Sequence, residues 1–323
     1  MAAVGETRQE IAPSRRKRRL GDLTFRGVAT AGGLVLLLIV VLALQQLFSG
    51  SREALAQQGG QFFYGSEWDS MNKRYGALPL IWGTFVSAFI ALLVGGVTGV
   101  TISAFLVELA PKWLYKPVSF LVDLLAAIPS IIFGLWGMEV LIPWLRDHLY
   151  PQLTSTLGWT GLFGTSSGFA STGYSLLTAG IVLGVMIIPT VAAITREMLL
   201  VVPKNMRDGA LALGANRTEA LKGVMIPFAL GGILGGLILG LGRALGETMA
   251  VTMIIGNTAT INKDLLQPAA TLSSQIATNF GEADGSLRPA LIGLGFLLFL
   301  VTLSINMLAR WLVMRMRRRS GMI

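Results

Sequence analysis

Cysteine is absent from this 323-residue chain, which excludes a disulfide framework and any thiolate metal site. Charge is scarce too. Asp, Glu, Lys and Arg make up 13% of residues against 53% hydrophobic ones, and mean hydropathy is +0.66. A soluble domain of this length needs far more polar surface, so the composition is that of an integral membrane protein. Strand-like alternation is missing, which argues against a β-barrel. The single histidine, His148, lacks metal-ligating companions and is expected to be solvated. No G-x-x-x-x-G-K-[ST] occurs, so the chain carries no ATPase site of its own. No cofactor or metal is expected in it.

Six apolar runs reach the ~20 residues that a helix needs to cross the bilayer. They lie at about 25–48, 78–106, 118–145, 174–198, 228–256 and 290–314. The expected fold is all-α, with about six transmembrane helices. The first run is too long for a signal-peptide core and is expected to be a retained helix. With the N-terminus inside, nineteen of the 26 Lys and Arg residues fall on the cytoplasmic side, six fall opposite, and Arg243 lies within a span. This is the positive-inside pattern, so both termini are expected in the cytoplasm. The net charge of +9 then reflects anchors beside anionic lipid, notably residues 15–19 and 315–319, rather than nucleic-acid binding.

One domain is expected, in four stretches: a basic tail at 1–24, a first helix with an outer segment at 25–75, a five-span core at 76–314, and a second basic tail at 315–323. Aromatics in the outer segment, Phe62, Phe63, Tyr64 and Trp68, suit a membrane interface. The outer loops near 146–172 and 257–289 are rich in Ser, Thr and Gly.

Between the fourth and fifth spans runs a polar, basic loop, residues 196–227. Asp208-Gly209-Ala210, then Gly214, then Val224-Met225-Ile226-Pro227 follow the spacing E-A-A-x3-G-x9-I-x-L-P. That pattern resembles the loop by which permeases of binding-protein-dependent ABC importers grip their ATPase. Gly214 and Pro227 match outright, and the other differences are conservative. Pro203 suits a helix start, and a short helix is expected over Ala210 to Leu213. Gly214 suits its end, Asn216 or Thr218 suits the next cap, and Pro227 permits a bend on re-entry. A helix held out on polar arms fits a groove on a partner, and the alternative is an ordinary basic loop.

The fifth run is Gly-rich and apolar except for Arg243 and Glu247. A charge at mid-span costs at least about 2.5–3.5 kcal/mol on insertion scales, so it is rarely accidental. In a continuous helix the two residues are neighbours on one face. Two readings stay open: a structural ion pair, or an anion-handling site in which the forked guanidinium of Arg243 meets an oxyanion and Glu247 offsets its charge. Pro129, with Ser130, marks a kink in the third run or a gate. Asp123 and Glu139, nearer the ends of that run, are expected to be interfacial or paired.

With the loop, GRALGETMAV (242–251), AAIPSIIFGLWG (126–137) and YGALPLIWGT (75–84) resemble the PstC family, the permease subunits of high-affinity phosphate ABC importers. The likeness runs from about Phe62 to the last span. It implies a five-helix permease core in the bacterial inner membrane and a paralogous permease partner (PstA-like). It also implies an ATPase dimer that binds the ATP (PstB-like) and a phosphate-binding protein (PstS-like). Arg243 and Glu247 take the places that the family associates with phosphate passage, and Asp208, Gly209, Ala210, Gly214 and Pro227 take those of ATPase coupling. The rival readings are a permease for sulfate or molybdate, an ATP-independent secondary transporter with Glu247 as proton carrier, and a non-transporting scaffold. The coupling-type loop and the lack of a repeated half argue against the secondary transporter, and the mid-span charges disfavour the scaffold.

Overall fold

The computed structural model describes residues 15–164 and 172–319. The extreme ends of both basic tails, the side chains of the basic clusters at 15–19 and 317–319, and part of the 146–172 loop lie outside the described residues. Contacts divide the chain into two units, residues 1–49 and 50–323. Unit 1 holds the first part of helix α1 (Arg15–Gln58), including its apolar run. The boundary falls inside that helix, ahead of the outer segment.

Besides single turns at Gln61–Tyr64 and Phe280–Glu282, unit 2 holds α2 (Leu78–Leu109), α3 (Lys112–Ala127), α4 (Ser130–Thr160), α5 (Leu176–Leu200), α6 (Lys204–Ala212), α7 (Arg217–Gly246), α8 (Met249–Ile254), α9 (Leu272–Asn279) and α10 (Leu287–Arg319). Among the described residues five helices are long and apolar enough to span a membrane, or six if α3 and α4 count as one broken span. A hairpin of two-residue strands, Trp68–Asp69 with Arg74–Tyr75, is a small β element in the outer segment.

Helix α5 is the hub. Fourteen of its 25 residues are buried, and α2, α3 and α7 pack on it. Ser175 starts it by accepting the Thr178 N–H at 3.1 Å. Its closest crossing is with α2, where a side chain at Gly95 would collide with the carbonyl oxygen of Gly184. Paired small residues let two membrane helices meet backbone to backbone, where dispersion replaces the hydrophobic drive that lipid does not supply.

Two expected continuous spans are broken. The third run stops at Ala127, is extended through Ile128 and Pro129, and resumes at Ser130 with a bend of 98°. Proline lacks an N–H and disfavours helical geometry at the residue before it, so Ile128 is extended and the helix restarts rather than merely kinking. The fifth run stops at Gly246, is extended at Glu247, and resumes at Met249. The 257–289 loop also differs from expectation. Its α9 segment folds back into the bundle, with Thr271, Leu272, Ser273, Ser274 and Gln275 buried. The Leu272 N–H donates to Thr84 Oγ1 on α2 at 2.9 Å, and Ser273 Oγ donates to the Glu247 carbonyl at 2.7 Å. Buried backbone groups need partners: the first bond supplies one at the start of α9, and the second supplies one at the broken end of α7.

Candidate translocation and coupling site

Arg243 lies in the last turn of α7 and is part-buried. Its Nη1 donates to Thr190 Oγ1 on α5 at 3.3 Å. Among the described residues, no carboxylate comes within 4.0 Å of it. The expectation of a helical Arg243–Glu247 neighbour pair is therefore corrected. Because the helix ends at Gly246, the four-residue spacing no longer places both side chains on one face. Glu247 turns instead to the start of α8, where its Oε1 accepts the Ala250 N–H at 3.4 Å. Among the described residues the guanidinium has one long hydroxyl contact, and its planar fork of donors suits an encounter with an oxyanion.

Pro129 and Ser130 stand at the other break. Pro129 occupies the cap position of α4 and Ser130 its first turn. The segments that follow the two breaks pack together. A methyl at Gly134 would stand 2.8 Å from Met253 Sδ and 3.0 Å from Ala250 Cα, and one at Gly137 3.3 Å from Ile254 Cγ2. The register rises in step along both helices, so they run parallel, each starting just after a break. Broken helices of this kind are the usual place for non-helical backbone to line a cavity at membrane depth.

The polar loop forms a helix, longer than expected and earlier in the chain. Helix α6 covers Lys204–Ala212 rather than Ala210–Leu213. Pro203 precedes it in extended conformation, and proline's fixed φ and missing N–H fit that place. Gly214 follows with φ +93°, a left-handed turn that L side chains adopt only with strain. Asn216 then caps α7: its Oδ1 accepts the Glu219 N–H at 2.9 Å, and Glu219 Oε2 accepts the Asn216 N–H at 2.8 Å. Pro227 causes no break; it sits within the continuous α7, just after a wide π turn at Leu221–Met225.

Helix α6 buries none of its nine residues. Asp208 and Gly209 are exposed, Ala210 is half-buried, and Met206 and Leu213 are exposed apolar residues, Leu213 at 92%. No described residue comes within 4 Å of a methyl placed on Gly209, so packing among the described residues does not demand a glycine there. Met206, Gly209 and Leu213 fall on one helical stripe, which is a small apolar face presented outward.

Two ion pairs between elements were not legible in the sequence. Arg207 on α6 donates through Nε and Nη2 to Glu108 Oε1, at 3.1 and 2.8 Å. Arg196, near the end of α5, bonds Ser119 and lies 3.4 Å from Asp123, both on α3. Asp123 is thus paired as expected, whereas Glu139 is exposed. The partners lie 99 and 73 residues apart in sequence, beyond what a local pattern reveals.

Residues 99–318 match the model of the family described as binding-protein-dependent transport system inner membrane component. Over 300 residues, 93% of each chain, the protein is 42% identical to the phosphate transport system permease protein PstC of Xylella fastidiosa. The chain belongs to the PstC family of inner-membrane transport permeases. Two further members named PstC are similar over nearly their whole length. That of Haemophilus influenzae is 39% identical over 92% of this chain and 94% of its own. That of Mesorhizobium japonicum is 38% identical over 99% and 100%. Solved structures share the fold. A chain of the MetNI methionine ABC transporter superposes with a TM-score of 0.53 at 19% identity, covering 73% of this chain and 94% of its own. A chain of a bacterial ABC transporter that imports alginate gives 0.52 at 17%, covering 92% and 99%. Within the PstC-family chain, α6 occupies the loop that the spacing of Asp208 to Pro227 marks, and Arg243 stands at the end of the apolar part of α7.

Proposed function

We propose that this chain is one permease half of an ATP-driven phosphate importer and that phosphate passes Arg243. The observation that carries the site is a guanidinium beside a helix break, without a carboxylate partner among the described residues, on a span where charge is costly. The substrate is supported by the names of relatives similar over nearly the whole chain. A paralogous permease, PstA-like, completes the path. A PstB-like ATPase dimer holds the ATP, and a PstS-like protein delivers phosphate from outside. Both termini face the cytoplasm, in keeping with the positive-inside count.

The mechanism is alternating access. ATP binding draws the ATPase subunits together, and Asp208, Gly209 and Ala210 on the outward face of α6 receive that motion. Gly214 and the Asn216 cap pass it into α7, and Pro227 lies on that route. The motor shifts the equilibrium only through contacts that differ between its states, which requires a docking surface rather than a diffusing signal. Arg243 meets the oxyanion transiently; one guanidinium with a single hydroxyl neighbour is too sparse for tight capture, so selectivity rests largely with the binding protein. The breaks at Pro129–Ser130 and Glu247 supply the points where the path opens and closes.

The test is uptake of radiolabelled phosphate, at low external concentration, in cells lacking this chain and complemented with it. Restored uptake, competed by excess phosphate and not by sulfate or molybdate, is expected. Competition by sulfate or molybdate would make the chain a permease for another oxyanion. Uptake abolished by a proton uncoupler while ATP is maintained would make it a secondary transporter.

A further inference from the structure

Helix α6 has covalent arms to two spans only: residues 201–203 lead from α5, and residues 213–216 lead into α7. It buries no side chain of its own, so little apolar packing holds it against the bundle. An ion pair reaches a third span. Arg207 lies in the first turn of α6, and both its Nε and its Nη2 donate to one oxygen of Glu108, at 3.1 and 2.8 Å. Glu108 sits in the last turn of α2, and its side chain is only 1% exposed against 35% for Arg207. A buried carboxylate without a partner is strongly unfavourable, so wherever Arg207 moves, the end of α2 is energetically bound to follow. Helix α2 in turn packs on α5 at the Gly95–Gly184 crossing and meets α7.

We infer that the Glu108–Arg207 pair is the link by which the second span follows the coupling helix, so that three spans rather than two respond to the ATPase. Glu108 is a positioning residue: it touches neither substrate nor motor and acts through Arg207. The inference rests on the reading of α6 as the docking helix of an ATP-driven importer.

The full transporter, with its permease partner, ATPase and binding protein, is reconstituted in proteoliposomes. Phosphate moved per ATP hydrolysed is then measured for wild type, Glu108→Gln, Arg207→Gln, the Glu108→Gln/Arg207→Gln double variant and the charge-reversed Glu108→Arg/Arg207→Glu. The ratio is compared only between complexes that hold the ATPase at the wild-type stoichiometry, so incomplete assembly does not move it. Glu108→Gln is expected to lower the ratio about tenfold, the size of a typical coupling between sites. The double variant is expected to fall no further than the single ones, as residues acting through each other are non-additive, and charge reversal is expected to regain part of the loss. A ratio for Glu108→Gln within about twofold of wild type, or additive losses in the cycle, would overturn the link. A wild-type complex that hydrolyses ATP without moving phosphate would overturn the importer reading itself, and the link with it.

Discussion

At the scale of single residues, the chain shows how one broken helical turn changes the chemistry of two charges. Arg243 and Glu247 are visible in the sequence because ionised groups are rare at mid-span. Their relation was not legible. The four-residue spacing implies contact only if the helix continues, and an extended Glu247 sends the carboxylate to the Ala250 N–H instead. The guanidinium of Arg243 offers a planar fork that an ammonium lacks. Arg243→Lys is therefore expected to keep transport but to lower phosphate uptake about tenfold at subsaturating phosphate, as charge-assisted fork contacts are lost. Uptake equal to wild type in an initial-rate assay would show that only the charge matters there.

At the scale of elements, the sequence carried the boundaries that a few residue types impose. Pro203, Gly214 and Asn216 each stand where their backbone chemistry places them, at the start, end and next cap of the coupling loop. The length of α6 was misread because its first turn, Lys204 to Arg207, is polar and reads as loop, while the Glu108 partner that steadies it is 99 residues away. Helix breaks at Glu247 and around Pro129 were hidden or understated for a related reason: apolar runs look continuous whether or not the backbone is. The fold-back of α9 was missed because its buried Ser and Thr residues resemble those of an exposed loop until Thr84 and Glu247 supply their hydrogen bonds.

Two substitutions test the coupling loop. Gly214→Val places a β-branched residue at φ +93° and is expected to cost about 1–2 kcal/mol, read as a lowered thermal midpoint of the purified complex. Gly209→Phe is expected to leave that midpoint near wild type, since its side chain meets open space within this chain. It should nevertheless abolish co-purification of the ATPase, because a large ring blocks close approach on the docking face. Retained ATPase binding by Gly209→Phe would move the docking face elsewhere on α6.

At the scale of the whole molecule, Arg243 and the exposed helix α6 are joined through a bundle centred on α5. Membrane class, span number and family were legible because each rests on composition or on motifs spread along the chain. The cross-links among spans were not, because they depend on packing. In the proposed function the ATP is hydrolysed on a separate partner chain. Removal of the ATPase subunit is accordingly expected to end uptake while this chain remains in the membrane, as membrane fractionation and a phosphate assay would show. The most direct measurement is radiolabelled phosphate uptake in cells whose only copy of this chain carries Arg243→Gln, with the assembled complex quantified in the same membranes. The account predicts wild-type assembly with uptake lowered about a hundredfold, in line with loss of a charge-assisted site on the path. Uptake equal to wild type at equal assembly would contradict it and reduce Arg243 to architecture.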